Sequence, residues 1–266
     1  MNNYLWSGAI VLVKALTLLI STCTTALADD EIPKNFTYLR DVAPTIHQDI
    51  RYASAQNFTG QPLPGYDAAE CILAIPVAKA LKRVQDRLKP QGFSLKVYDC
   101  YRPRRAVRAF VKWARSNLES EYTKLYYPSL RKKELFARGY IARPSAHSKG
   151  IAVDLTIVPH PSPFTTSLSN AKHGPCNAPQ SERQPDNSVD MGTAWDCFDE
   201  RSHTFNDNIS DRQKQLRNLL LTAMKKEGFE NYSKEWWHFT LNADGYTKYH
   251  DFIIVKHKAP FFSFWK

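Results

Sequence analysis

Two short stretches of the chain hold the residue types from which a hydrolytic metal site is built. Ser145-Ala146-His147-Ser148-Lys149-Gly150-Ile151-Ala152-Val153-Asp154 places an imidazole before a carboxylate, and Glu235-Trp236-Trp237-His238 places a second carboxylate before a second imidazole. His147, Asp154 and His238 together would leave a tetrahedral zinc ion one open position for water, and Glu235 beside it would take that water's proton. A lone His near a lone Asp is usually structural. The addition of Glu235 and His238 changes the reading, because on a helical or bulged turn the two side chains can point to one place. Without such a task a buried Glu would be a costly protonated acid.

These residues need elements to hold them. Gly150 permits a tight turn between a loop carrying His147 and a strand carrying Asp154. In that strand Ile151, Val153, Leu155 and Ile157 alternate with Ala152, Asp154 and Thr156, so Asp154 lies on the face opposite the most apolar residues. Phe93 to Asp99 also alternates and reads as a strand. If that strand lies beside the one carrying Asp154, Arg102 just beyond its end reaches the site and can stabilise an oxyanion. Arg104 and Arg105 read as surface charge.

Pro76 opens a helix with Val77, Leu81, Val84 and Leu88 at helical spacing, ended by Pro90-Gln91-Gly92. A second helix from near Pro103 is expected to bury Val107, Phe110, Val111, Ala114 and Leu118. A third, with Ser210 and Gln213 at capping-box spacing, buries Leu216, Leu219, Leu220, Ala223 and Met224 and stops at Gly228. Trp236 to Leu241 reads as a short strand or bulged extension. Pro159 to Asp190, rich in Pro, Ser, Asn and Gln, reads as a long surface loop. The sum is an α+β domain, a small sheet backed by helices with the site on its open side.

Residues 1–28 have the shape of an export signal: Lys14, an apolar run to Ile20, then Ala26-Leu27-Ala28 as a cleavage site. A membrane anchor is the weaker reading, because Lys14 interrupts a stretch already short of the ~20 residues a span requires. Lipid attachment at Cys23 is disfavoured by the bulk of Thr22. Residues 29–266 then form one domain, and no stable membrane insertion is expected after cleavage. Its four cysteines favour two disulfides, Cys71 with Cys100 and Cys176 with Cys197, each closing a short loop and keeping sulfur away from zinc. A four-cysteine metal site is disfavoured by the absence of close cysteine spacing. The net charge of +10 is spread along the chain, and with no aromatic-basic module nucleic acid is not expected as a partner. Four N-x-S/T sequences begin at Asn35, Asn57, Asn208 and Asn231; a glycan at Asn231 would crowd Glu235, which favours a bacterial periplasm or secretion.

Ser145-Ala146-His147 through Asp154, Glu235-Trp236-Trp237-His238 and Tyr98-Asp99-Cys100-Tyr101-Arg102-Pro103 together resemble the D-alanyl-D-alanine dipeptidases of the VanX type, zinc enzymes of the M15 peptidase family. The resemblance runs from about Tyr38 to Phe252 and takes in Arg51-Tyr52-Ala53, Asn57-Phe58-Thr59-Gly60 and Met191-Gly192-Thr193 with Asp196. It implies a hedgehog/DD-peptidase-like fold with a mostly antiparallel sheet. It also implies one zinc ion on His147, Asp154 and His238, Glu235 as general base and later acid, and Arg102 at the transition state. By the same resemblance Asp196 would hold the ammonium group of D-alanyl-D-alanine, Ser145 and Tyr66 would lie near its carboxylate, and Tyr52 would line the pocket. The export signal, the extra cysteines and the insertion at 159–190 depart from the cytoplasmic resistance-type enzymes and leave substrate size open. A D,D- or L,D-carboxypeptidase acting on peptidoglycan stems would share the metal chemistry with a more open pocket. A non-catalytic wall-binding module would have no need of Glu235. A serine hydrolase built on Ser145 lacks the nucleophile-elbow sequence.

Overall fold

The computed structural model describes residues 32–141, 143–161 and 173–258. The expected signal segment, its cleavage site and Cys23 lie outside them. Strands β1 (Phe36–Tyr38) and β3 (Ile72–Ala74) pair antiparallel. The main sheet joins β2 (His47–Gln48), β4 (Phe93–Asp99), β5 (Ala152–Pro159), β7 (His238–Leu241) and β6 (Phe229–Asn231) in that order. Only β2 and β4 run parallel; the other three pairings are antiparallel. This is the mixed α+β architecture expected from the periodicities.

Five α-helices are present among the described residues, α1 (Leu39–Val42), α2 (Ile75–Leu88), α3 (Arg104–Arg115), α4 (Glu121–Lys124) and α5 (Asp211–Lys225); α2, α3 and α5 are the three expected, and the one-turn helices α1 and α4 are too short to carry a period. Pro76 sits in the first turn of α2, where its missing N–H costs nothing, and the helix buries Val77, Leu81, Val84 and Leu88 against β4 and α5. Ser210 accepts from the Gln213 N–H while the Gln213 side chain accepts from the Ser210 N–H, the reciprocal cap read from the sequence. One expectation fails at α3. The helix ends at Arg115, so Leu118 lies beyond it and is 76 % exposed rather than part of the apolar stripe.

Strand β5 is buried along its whole length except Pro159, so both of its faces are covered rather than one. Part of the cover comes from the segment read as a surface loop. Within its described portion, Asp186 accepts from Arg51 at 2.5 Å and from the Tyr98 hydroxyl at 2.7 Å, and also pairs with Lys96. The Val189 N–H donates to the Ile157 carbonyl at 3.1 Å, and the Cys176–Cys197 disulfide ties the segment to the loop beyond it. The second disulfide joins Cys71 to Cys100. Both pairings are those expected. Buried charges survive in the Asp186 cluster because each is paired and hydrogen-bonded.

Candidate functional site

The sheet lines up the key residues in one row. In the register of β4, β5 and β7, Asp99 faces Asp154 and Asp154 faces His238. A bulge makes this possible: Val97 pairs with Leu155, yet Asp99 pairs with the very next residue, Asp154. The extra residue in β4 turns Asp99 onto the face of Asp154, the kind of re-aiming that bulges perform beside functional sites. His147 comes from the turn Ala146–Lys149 just before β5, which Gly150 closes at φ +73°. A Cβ at Gly150 would meet the Phe36 ring at 2.2 Å, so no larger residue fits this approach.

Three donor atoms converge. His147 Nε2 lies 3.1 Å from His238 Nδ1, His238 Nδ1 lies 3.0 Å from Asp154 Oδ1, and His147 Nε2 lies 3.3 Å from Asp154 Oδ1. Tetrahedral bonds of about 2.0–2.1 Å separate neighbouring donors by about 3.3 Å, so the triangle fits an ion of zinc size. These are the residues that can hold a metal among those described. The His147 Nδ1–H donates to the Cys100 carbonyl at 2.7 Å, which leaves the Nε2 lone pair facing the site. Burial pushes the His238 imidazole below its usual value although Asp154 opposes this, and the neutral ring is the form that ligates. Burial works against the charge on Asp154, but the two imidazoles outweigh it and hold the carboxyl well below the usual range.

Glu235 lies beside this triangle, its Oε2 3.9 Å from His238 Nδ1. Burial, then the nearby Asp154 and Asp196 carboxylates, push its pKa well above the usual value. The turn that carries it is tightly held. Asn231 donates to the carbonyls of Glu235 and His238 at 3.0 Å each, the Trp236 indole N–H donates to Thr193 at 2.9 Å, and Trp237 is fully buried. The side-chain amide of Asn231 is therefore committed, as is that of buried Asn57, which donates to the Ser54 and Gln61 carbonyls.

Arg102 is set by Asp99, to which no role attaches from the sequence alone. Buried Asp99 accepts from Arg102 Nε at 2.8 Å and pairs with its Nη2 at 2.7 Å; its carboxylate also lies 3.3 Å from His147 Nδ1 and accepts from the Tyr66 hydroxyl at 2.6 Å. Arg102 Nη2 is then 3.5 Å from Asp154 Oδ2, with the guanidinium over the rings of Tyr52 and Phe110. A charged residue closing an apolar strand three positions before an Arg was the available signal for Asp99. Tyr66, expected near the substrate carboxylate, donates its hydroxyl to Asp99 and is not among the residues lining the cavity. Arg105 pairs with Asp251 rather than standing free.

A cavity of about 230 Å³ opens over the donor triangle, lined by Tyr52, Arg102, Ser145, Asp196, Glu235 and both imidazoles, with Phe58, Phe110, Tyr140, Ile141 and Tyr232 among its apolar walls. It is smaller than the roughly 300–1,000 Å³ of pockets for drug-sized ligands. Asp196 adopts φ +62°, a left-handed conformation that Asp tolerates, in a loop whose Met191, Arg201 and His203 carbonyls all accept from buried Arg217 of α5. Burial and the charge of Asp154 raise its pKa well above the usual range, opposed by the Tyr52 hydroxyl bonded to it and by Arg102. No described residue of 159–190 lines the cavity.

The family model described as D-ala-D-ala dipeptidase, Peptidase M15, matches residues 33–162 and 180–256, so the match is interrupted within the segment read as an insertion. The D-alanyl-D-alanine dipeptidase of Enterococcus faecium is 34 % identical over 221 residues, 82 % of this chain and 98 % of that protein. The Streptomyces coelicolor dipeptidase of the same name is 32 % identical over 222 residues, 83 % of this chain and 98 % of the relative. The one from Escherichia coli K12 is 28 % identical over 200 residues, 75 % of this chain and 81 % of the relative. Every residue of the donor triangle, together with Glu235, Arg102 and Asp196, falls inside the matched ranges, and the chain belongs to the D-alanyl-D-alanine dipeptidase family of M15 peptidases.

Proposed function

We propose that this chain is a zinc dipeptidase that hydrolyses D-alanyl-D-alanine to two molecules of D-alanine. The observation that carries the reading is the donor triangle of His147, Asp154 and His238 with buried Glu235 at its edge, inside a cavity of dipeptide scale. One zinc ion bound there supplies a Lewis acid for the peptide carbonyl and makes a coordinated water acidic enough to ionise near neutral pH. Glu235 takes the proton of the attacking water and passes it to the leaving amine as the C–N bond breaks; its raised pKa suits both halves of that exchange. Arg102, fixed by Asp99, faces the charge that develops on the carbonyl oxygen. Asp196, oriented by Tyr52, takes the substrate ammonium group, and Ser145 lies on the wall where the carboxylate is held.

We further propose that the activity lies outside the cytoplasm, in the periplasm or secreted. The leader-like sequence of residues 1–28 and two disulfides suited to an oxidising compartment support this.

The test is D-alanine release by chelator-stripped protein with zinc added back. Activity should return at one zinc per chain. Glu235→Gln should retain zinc yet lose about 10²–10⁴-fold in turnover. Full activity in the stripped protein, or near-normal turnover by Glu235→Gln, would sink the proposal.

A further inference from the structure

Two walls of the cavity are tied together at its rim by contacts that the chemistry does not use. One wall is the segment Gly139-Tyr140-Ile141; the other is the turn that carries Tyr232, Glu235 and His238. The Tyr232 hydroxyl donates to the Gly139 carbonyl at 3.1 Å, and the neighbouring Lys234 Nζ donates to the Arg138 carbonyl at 2.7 Å. Tyr232 both borders the cavity and is 37 % exposed, which locates this clasp at the boundary with solvent.

The segment is buried at its inner end and solvent-facing at its outer one. Tyr140 and Ile141 are buried, their N–H groups both donate to the Leu135 carbonyl, and the Tyr140 hydroxyl lies 3.3 Å from His203 Nε2. Gly139 and Arg138, by contrast, face partly or fully outward. At Gly139, φ is +83°, a conformation that strains other residues, and a Cβ would stand 2.8 Å from the Tyr232 hydroxyl, so a side chain there would displace the contact.

We infer that the Tyr232–Gly139 and Lys234–Arg138 clasp determines substrate length, closing the rim around a dipeptide and excluding peptides that would have to pass between the two walls. Two solvent-accessible hydrogen bonds suit such a gate, since they open readily for entry and product release and still bias the closed form. The inference rests on the dipeptidase reading of the same cavity and adds what sets its upper size limit. Tyr232 acts here on specificity through the wall it holds, and no proton transfer is assigned to it.

The experiment compares kcat/KM for D-alanyl-D-alanine and for tri-D-alanine in the zinc-loaded full chain, its Tyr232→Phe variant and the Tyr232→Ala/Lys234→Met double variant. The trimer-to-dimer ratio should rise at least tenfold in the double variant and a few-fold in Tyr232→Phe, which keeps the ring and removes only the hydroxyl. Trypsin cleavage after Arg138, followed in the same three proteins, should speed up in the same order. A ratio unchanged within twofold in Tyr232→Phe and in the double variant would overturn the clasp, and so would unchanged cleavage at Arg138. If the parent protein fails to cleave the dimer, the dipeptidase reading falls instead, and the proteolysis arm still reports on the clasp. If the double variant fails to fold, Tyr232→Phe alone decides.

Discussion

The hydroxyl of Tyr52 donates to Asp196 Oδ2 at 2.8 Å, linking two residues 144 positions apart across the wall of the cavity. The same ring lies under the Arg102 guanidinium, 5.1 Å from its centroid, so one side chain orients the groups proposed to meet the substrate ammonium and the oxyanion. Tyr52→Phe removes only the bond to Asp196. A hydrogen bond to a charged group contributes about 1.5–3 kcal/mol, so kcat/KM should fall roughly 10–100-fold, chiefly through KM, with zinc content unchanged. Because the lost bond lowers the Asp196 pKa, its removal raises that pKa further. The KM penalty should therefore be largest at low pH and shrink as pH rises; a penalty independent of pH would count against Asp196 as the ammonium partner.

Asp99 touches the cavity only through other residues, and its substitution separates positioning from contact. Asp99→Asn keeps the volume but removes the charge that holds Arg102 and backs His147. Zinc affinity, read by titration against a competing chelator, should weaken about 10–100-fold, and kcat should fall with it. Unaltered affinity together with unaltered kcat would show that Arg102 and His147 hold their places unaided.

The two disulfides should have different signatures. Cys100 supplies the carbonyl that fixes the His147 tautomer, whereas Cys197 follows Asp196 directly. Replacing Cys71 and Cys100 by Ala should weaken zinc retention before it changes KM. Replacing Cys176 and Cys197 should raise KM and leave zinc retention intact. Each pair should also cost about 3 kcal/mol of stability, seen as a lower Tm. Identical effects of the two replacements on zinc and KM would refute this division.

Asp186 gives a pH-dependent test of the anchored insertion. Burial opposes its charge, but Arg51 and Lys96 outweigh it and hold the carboxyl well below the usual value. A depressed carboxyl pKa contributes stability that is full above the unfolded value near 4 and is lost as pH falls toward the folded one. Asp186→Asn should therefore lower unfolding free energy by about 3–5 kcal/mol between pH 5 and 8, the cost of breaking a buried pair, with the gap narrowing below about pH 4. Equilibrium urea unfolding across pH measures it, and a gap that widens in acid would contradict the assignment.

Much of the site was legible because its signals are local. His147, Gly150 and Asp154 sit within one turn-to-strand unit, Glu235 and His238 within one short turn, and the helix caps at Pro76 and Ser210 are chosen by nearest neighbours. The short strands β1, β2, β3 and β6 passed unread, because two or three residues carry no period and form only when a partner strand exists. The bond between Tyr66 and Asp99 was hidden for a similar reason. A tyrosine hydroxyl near the site serves substrate or scaffold according to which buried acceptor lies within reach, and that acceptor, Asp99, comes from another element.

The amino-acid order alone determined the inventory of this protein: which donors, which base, which cysteines to pair, and which periods to fold, since these depend on residue type and short spacing. The tertiary structure decided the convergence. The bulge that turns Asp99 toward Asp154, the row it forms with His238, the insertion's attachment through Asp186 and the rim joined by Tyr232 all depend on contacts between distant segments. Register across strands and the closure of a cavity are set by packing the whole chain at once, and no single stretch of sequence encodes them.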